Sequence, residues 1–127
     1  MNETENPTAN APRSCPRHSA EIIRELGPWP GTEHIHGVTF DGTHAWCAGG
    51  ACLFAVDPES GEQVRVLALA APSGTAFDGT HLWQVANDRI QKIDPRSGAV
   101  VARIPAPVPG RDSGLAWAAG TLWVGEY

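Results

Sequence analysis

A repeat constrains this chain more than any other feature of its sequence. Phe40-Asp41-Gly42-Thr43-His44-Ala45-Trp46 returns 37 residues later as Phe77-Asp78-Gly79-Thr80-His81-Leu82-Trp83. Asp57-Pro58-Glu59-Ser60-Gly61 returns at the same offset as Asp94-Pro95-Arg96-Ser97-Gly98. Across 37–64, twelve of twenty-eight positions are identical to their partners, without a gap. A third, weaker copy opens at Ser113-Gly114-Leu115, and its Trp117-Ala118-Ala119-Gly120-Thr121-Leu122-Trp123 stands forty residues after the second. The extra three residues fall in the Pro-rich stretch 105–110. Self-similarity at such a period marks a unit that buries its faces by stacking on its own copies.

Each copy divides into strands. Residues 37–40 form a short extended run closed by Asp41-Gly42, a hairpin signal. Residues 45–48 follow, then a Gly49-Gly50 turn, matched in the second copy by Asn87-Asp88, residues that tolerate positive φ. Residues 52–56 make the third strand. In the next turn Asp bonds the backbone ahead of it, Pro presets φ and Gly accepts the left-handed position. Residues 62–69 make the fourth strand. Four short antiparallel strands in ~40 residues is the pattern of one propeller blade. The expected fold class is therefore all-β, a partial β-propeller with blades at 36–69 and 73–105 and a half blade at 113–127; a compact sandwich of the same hairpins is the alternative. An aromatic recurring at one place fills the wedge between neighbouring blades, so Trp46, Trp83 and Trp123 are read as core. His44 and His81 recur in the turn and are read as turn residues.

The ring is short of material. Propellers have typically four to eight blades, and even four of 37 residues exceed the 127 residues present. The leader 1–19 is polar, Pro-bearing and aperiodic, and is expected to be disordered. It lacks a basic start and an apolar stretch, so no export is read and a cytoplasmic location is expected. Residues 20–26 are expected to form an outer closing strand resembling 100–104; the rival is a short helix capped by Ser19 and stopped by Gly27-Pro28. The tally is one outer strand, two blades and half a blade, so the remaining blades are expected from a longer chain or from a partner chain.

Composition removes several classes. The net charge is −5 and Lys92 is the only lysine, which argues against a nucleic-acid partner. No apolar run approaches the ~20 residues of a membrane helix, so no membrane partner is expected. Fourteen Gly and eleven Pro leave little room for long helices. Cys15, Cys47 and Cys52 are read as thiols rather than a disulfide framework.

The motif Phe-Asp-Gly-Thr-His-Leu-Trp, with Asp-Pro-x-Ser-Gly and Leu122-Trp123-Val124-Gly125-Glu126-Tyr127, resembles a broad group of bacterial propellers. It resembles the glutamine cyclotransferase-like proteins most, and is similar to the virginiamycin B lyase, surface-repeat (YncE-like) and SMP-30 lactonase-like propellers. The resemblance covers roughly residues 20–127 and implies a propeller, with a cyclotransferase-like or lyase-like activity as one expectation. The cyclotransferase pattern carries an aromatic-Thr-Gln-Gly-Leu inner strand followed by an aromatic-Glu-Ser segment. Here Gly37 and Val38 match the first, His36 stands where Gln would be, and Trp46-Cys47-Ala48 stands where the Glu-bearing segment would be.

Aligning the copies sets His34, Ile35 and His36 opposite Ala71, Pro72 and Ser73, and opposite Arg111, Asp112 and Ser113. In a propeller the connection into the inner strand and the turn between second and third strands share the rim at the channel mouth. Positions that differ between copies are released from packing duty. His34, His36, Ser73, Arg111, Asp112 and Ser113 are therefore the candidate ligand-binding residues. His36 is the candidate catalytic residue, a proton shuttle near neutral pH, and Arg111 suits a carboxylate. Were Asp41-Gly42 a two-residue hairpin loop, His36 would pair across from Cys47, and His34, His36, Cys47 and Cys52 would make a soft ligand set for zinc or copper. That spacing matches no standard zinc motif, and no metal is assigned. Phosphate-loop, nucleophile-elbow and two-histidine zinc-protease motifs are absent, so no cofactor is named. Two functions remain: an incomplete propeller binding a small molecule at the channel mouth, as an enzyme of the resembled kind, or a non-catalytic interaction scaffold.

Overall fold

The Asp-Gly turn shapes the first hairpin, with a longer loop than two residues. Asp41 N–H donates to His44 O at 3.1 Å, and Asp41 Oδ1 accepts the N–H groups of Thr43 at 2.8 Å and His44 at 2.6 Å. Gly42 takes the left-handed φ of 96° that the tight loop requires, a conformation open to a residue without Cβ. Four residues then separate β1 (Gly37–Phe40) from β2 (Ala45–Ala48), and Phe40 faces Ala45. The second copy repeats the arrangement: Asp78 N–H donates to His81 O at 3.0 Å, and its Oδ1 accepts Thr80 N–H at 2.8 Å and His81 N–H at 2.7 Å. His44 and His81 serve the turn through their backbone.

The structure, a computed structural model, describes residues 15–127. Residues 1–14 of the expected leader lie outside the described residues, and 15–19 carry no regular structure and are exposed. The first sheet runs in chain order from β1 and β2 through β3 (Leu53–Val56) to β4 (Gln63–Leu67). The second runs from β5 (Thr75–Phe77) and β6 (Leu82–Ala86) through β7 (Arg89–Ile93) to β8 (Val100–Pro105). The third holds β9 (Asp112–Ala118) and β10 (Thr121–Glu126). All pairings are antiparallel between neighbours in sequence. The Asp-Pro-x-Ser-Gly turns joining β3 to β4 and β7 to β8 close alike: Asp57 and Asp94 each accept the N–H two residues on at 2.8 Å. Gly61 N–H donates to Asp57 O, and Gly98 N–H to Asp94 O, both at 2.8 Å.

Apolar side chains stack the sheets face to face. Trp46, Ala48, Leu53, Ala55 and Leu67 of the first sheet pack on Leu82 and Ile93 of the second. Val85 and Ile90 of the second pack on Leu115, Leu122 and Val124 of the third. Full burial of a Leu or Ile contributes about 1.5–3 kcal/mol, so these two seams dominate the stability. Trp46 and Trp83 lie in them as expected, with Trp83 stacked on Trp117 at 6.4 Å and 7°. Trp123, the third of the set, is 60% exposed, because no described sheet lies beyond β9 and β10.

The other flank of the first sheet is covered by the chain before it. The Trp29 ring sits 5.3 Å from that of Phe54, and its Nε1–H donates to Gly61 O at 2.9 Å. The outer strand expected at 20–26 is not formed, nor is the rival helix. The segment carries Ile22 and Ile23 in solvent and has no neighbouring strand to pair with among the described sheets. No helix among the described residues is long and apolar enough to cross a membrane.

Candidate functional site

Antiparallel order puts the starts of β1, β5 and β9 at one end of the sheets, with the β2–β3 and β6–β7 turns beside them. That end is tied by backbone bonds, of which Gly74 N–H to Ser113 O at 2.8 Å joins the second copy to the third and the others join each sheet's turn to the connection leaving it. Gly50 and Ala71 exchange two backbone bonds of 2.9 and 2.8 Å, and Ala106 N–H donates to Asp88 O at 2.9 Å. The inner strands meet there backbone to backbone. A Cβ at Gly37 would lie 3.0–3.2 Å from Thr75 N, Gly74 Cα and Ser73 O. One at Gly74 would lie 2.6–2.8 Å from Leu115 N, Ser113 O and Gly114 C. The glycine that follows His36 and Ser73 is therefore a packing requirement, while a Cβ at the matching Gly114 would meet nothing within 4 Å; His36, Ser73 and Ser113 mark one level of the rim.

The candidate residues separate into two sets. Ser73 Oγ donates to Ser113 O at 2.7 Å and lies 3.1 Å from Asp112 O. Asp112 is buried, and its carboxylate accepts Val108 N–H at 3.2 and 3.3 Å. Arg111 Nε–H donates to Tyr127 O at 2.7 Å, and its Nη2 lies 3.3 Å from a Glu126 oxygen. Ser73, Asp112 and Ser113 thus come together as a bracket between second and third sheets, and Arg111 is engaged by the end of β10. His34 and His36 form the other set: both are exposed, with ring centroids 6.4 Å apart. His36 is anchored through its backbone N–H to Ala48 O at 2.8 Å, and its ring edge lies beside Gly50.

The four-residue hairpin loop corrects the conditional metal set. Val38, not His36, faces Cys47, and among the described residues no group of three or more His, Cys, Asp or Glu is placed to hold a metal ion. The three cysteines are free. Burial pushes the Cys47 thiol above its ordinary range, which disfavours the thiolate that metals and electrophiles need.

Gln84 escaped the sequence reading. It is fully buried on β6, and its Nε2 donates to Ser73 O at 3.0 Å and Val85 O at 2.8 Å. Its Oε1 has no hydrogen-bond partner, at a cost of about 1–3 kcal/mol for a buried acceptor. The signal was one polar residue in the otherwise apolar run Leu82 to Ala86, where the first copy has Cys47.

No family model matches the chain, and no curated protein matches it. Solved structures do. Myxococcus xanthus glutaminyl cyclase superposes with a TM-score of 0.66 at 23% identity, over 84% of this chain and 47% of that one. A WD40-repeat structure of RRP9 gives 0.60 at 19%, over 80% and 34%. Kuenenia stuttgartiensis hydrazine synthase gives 0.58 at 18%, over 77% and 32%. The chain spans about half the length of the first and about a third of the other two. At such identities the likeness carries the fold: the chain is all-β and forms part of a β-propeller.

Proposed function

We propose that the chain supplies two and a half blades to a larger β-propeller that takes a small molecule at the axial rim marked by His34 and His36. One observation carries this reading. At the level where the second and third copies are occupied by mutual bonds, through Ser73 and Asp112, the first copy presents two solvent-facing imidazoles with no hydrogen-bonding duty among the described residues. Imidazoles near neutral pH both donate and accept protons, so His36 is the proton-transfer residue of this reading. A cyclotransferase-like or lyase-like activity is its finer form, supported by the sequence motifs and by a glutaminyl cyclase among the similar folds. The WD40 neighbour supports the second reading, an interaction platform.

The rest of the ring comes from sheets beyond these three. Ser19, Glu21, Arg24 and Leu26 match Ser60, Glu62, Arg65 and Leu67 of the first blade's outer strand. Leu26 abuts Gly61 as Leu67 abuts Gly98: a Cβ at either glycine would lie 3.1 Å from the leucine's Cδ2. Arg24 Nη2 also donates to Glu59 O. These likenesses support residues 20–26 as the outer strand of a blade that precedes β1, once inner strands are present to pair with it.

Carbethoxylation tests the rim site. Glutaminylglycine is expected to protect His34 and His36 from diethyl pyrocarbonate, mapped by mass spectrometry, and to leave His44 and His81 at the opposite end unprotected. H36A should weaken dipeptide binding about tenfold, the equivalent of one lost hydrogen bond at roughly 1.4 kcal/mol. Equal labelling of all four histidines with and without dipeptide would remove the reading.

A further inference from the structure

A cleft of about 370 Å³ opens between the first and second sheets at the end opposite His36, lined by Trp46, Ala55, Val64, Arg65, Pro95 and Arg96 with His44 and Asp41 at its side. That size suits a small ligand. Its origin is a difference between repeats. Trp46, Ala55 and Arg65 form one cross-strand row, and the matching row in the second sheet is Trp83, Lys92 and Ala102. There Lys92 Nζ lies over the Trp83 ring, 5.5 Å from its centroid, and Trp117 stacks on the same indole. In the first sheet Ala55 is too small to reach over Trp46, and the space stays open.

Charge differs between copies as well. On the other flank of the first sheet, Arg24 is engaged by the Glu59 carbonyl. The residues matching Arg24 and Glu59 around the cleft are Arg65 and Arg96, so an arginine replaces the acid. Both guanidiniums are exposed, and among the described residues neither has an ion pair. The Asp41 carboxylate is spent on Thr43, His44 and Trp46 N–H groups. Asp94, bonded within its own turn, does not line the cleft.

We propose that this cleft binds a small organic carboxylate, its apolar body between Trp46, Ala55, Val64 and Pro95 and its charge at Arg65 and Arg96. The cleft is formed wholly within the first two sheets, so the proposal is independent of the rim site and of ring completion. Apolar walls supply burial, and a guanidinium's planar fork favours a planar oxyanion.

The probe is p-toluate, followed by equilibrium dialysis against the whole chain, a readout indifferent to association state. One saturable site is expected. R96E, which restores the acid of the first turn, and A55K, which copies the second sheet, should each weaken binding at least tenfold, about 1.4 kcal/mol. R24Q should leave binding unchanged, and p-toluamide should bind at least tenfold more weakly than p-toluate. Far-UV circular dichroism of R96E should match the parent, since Arg96 is exposed. Equal binding of the amide, retained affinity in R96E with its parental spectrum, tighter binding of p-tolyl phosphate, or no saturable uptake would each overturn the proposal.

Discussion

Gly74→Ala is expected to cost about 3 kcal/mol, while Gly114→Ala, at the same place one copy later, should change stability by less than about 0.5 kcal/mol. The contrast is steric. A Cβ at Gly74 meets backbone atoms of β9 at 2.6–2.8 Å, and backbone cannot turn aside as a flexible side chain can. Relief requires β5 and β9 to separate, which loosens the seam where Val85 and Ile90 meet Leu115 and Leu122. At Gly114 nothing lies within 4 Å, because no described strand follows β9 around the axis. Gly37 is intermediate, with backbone at 3.0–3.2 Å. Urea unfolding followed by tryptophan fluorescence measures all three. Similar losses at Gly74 and Gly114 would mean that the two positions share an environment, contrary to the open flank described above. Once the next blade is in place, Gly114→Ala should become as costly as Gly74→Ala.

Asp41→Ala and Asp78→Ala should each cost about 3 kcal/mol, since a charged acceptor contributes roughly 1.5–3 kcal/mol and its removal leaves a largely buried donor unpaired. Besides the two turn N–H groups, Asp41 Oδ2 accepts Trp46 Nε1–H at 2.8 Å, and Asp78 Oδ2 accepts Trp83 Nε1–H at 2.9 Å. The carboxylate ties the hairpin loop to the tryptophan wedged between sheets. Asn is a poor replacement, because its amide nitrogen and the indole are both donors. The pH dependence follows. Burial pushes the Asp41 carboxyl up, but the His44, Trp46 and Thr43 N–H groups and the nearby His44 charge outweigh it, leaving it below its ordinary 3.8. Asp78 is lowered in the same way by His81, Trp83 and Thr80. A carboxyl lowered on folding stabilises fully above its unfolded value and loses that contribution as pH falls through the folded value. The parent should therefore lose stability as pH drops below about 4, and the double alanine variant should show a flatter acid limb. An unchanged acid limb would show that these carboxylates do not govern it.

Much of the architecture was legible because the repeat places its turns with residues whose chemistry is local. Asp57 and Asp94 bond backbone two residues ahead, which sequence alone can foretell. The strands 37–40 and 45–48 were legible as well, while the two-residue loop on which the conditional metal set depended does not form, because Asp41 reaches past Gly42 to His44 and Trp46, a network that shows only in three dimensions. Residues 20–26 carry the sequence of an outer strand but pair with no described sheet, since strand formation needs a neighbour. Gln84 was visible as a polar residue in an apolar strand, yet its orphaned oxygen depends on which sheet covers β6. The cleft rests on Ala55 against Lys92 and Glu59 against Arg96, differences present in the alignment. Their meaning needed the register that sets Arg65 beside Ala55 and carries Pro95 and Arg96 across from the second sheet. At the rim, His34 and His36 stood out, while the structural duties of Ser73, Asp112 and Arg111 depended on a neighbouring sheet.

Sedimentation velocity of the 127-residue chain over a wide concentration range, with anilinonaphthalene sulfonate fluorescence on the same samples, tests the central claim most directly. Trp123 is 60% exposed on the outer face of the third sheet, and among the described residues β10 pairs with β9 alone. Such a flank recruits other chains. The expected result is mass that rises with concentration, together with dye binding that W123S reduces. A single monomeric species at every concentration, with no dye bound, would contradict the account of these sheets as wedges awaiting their neighbours.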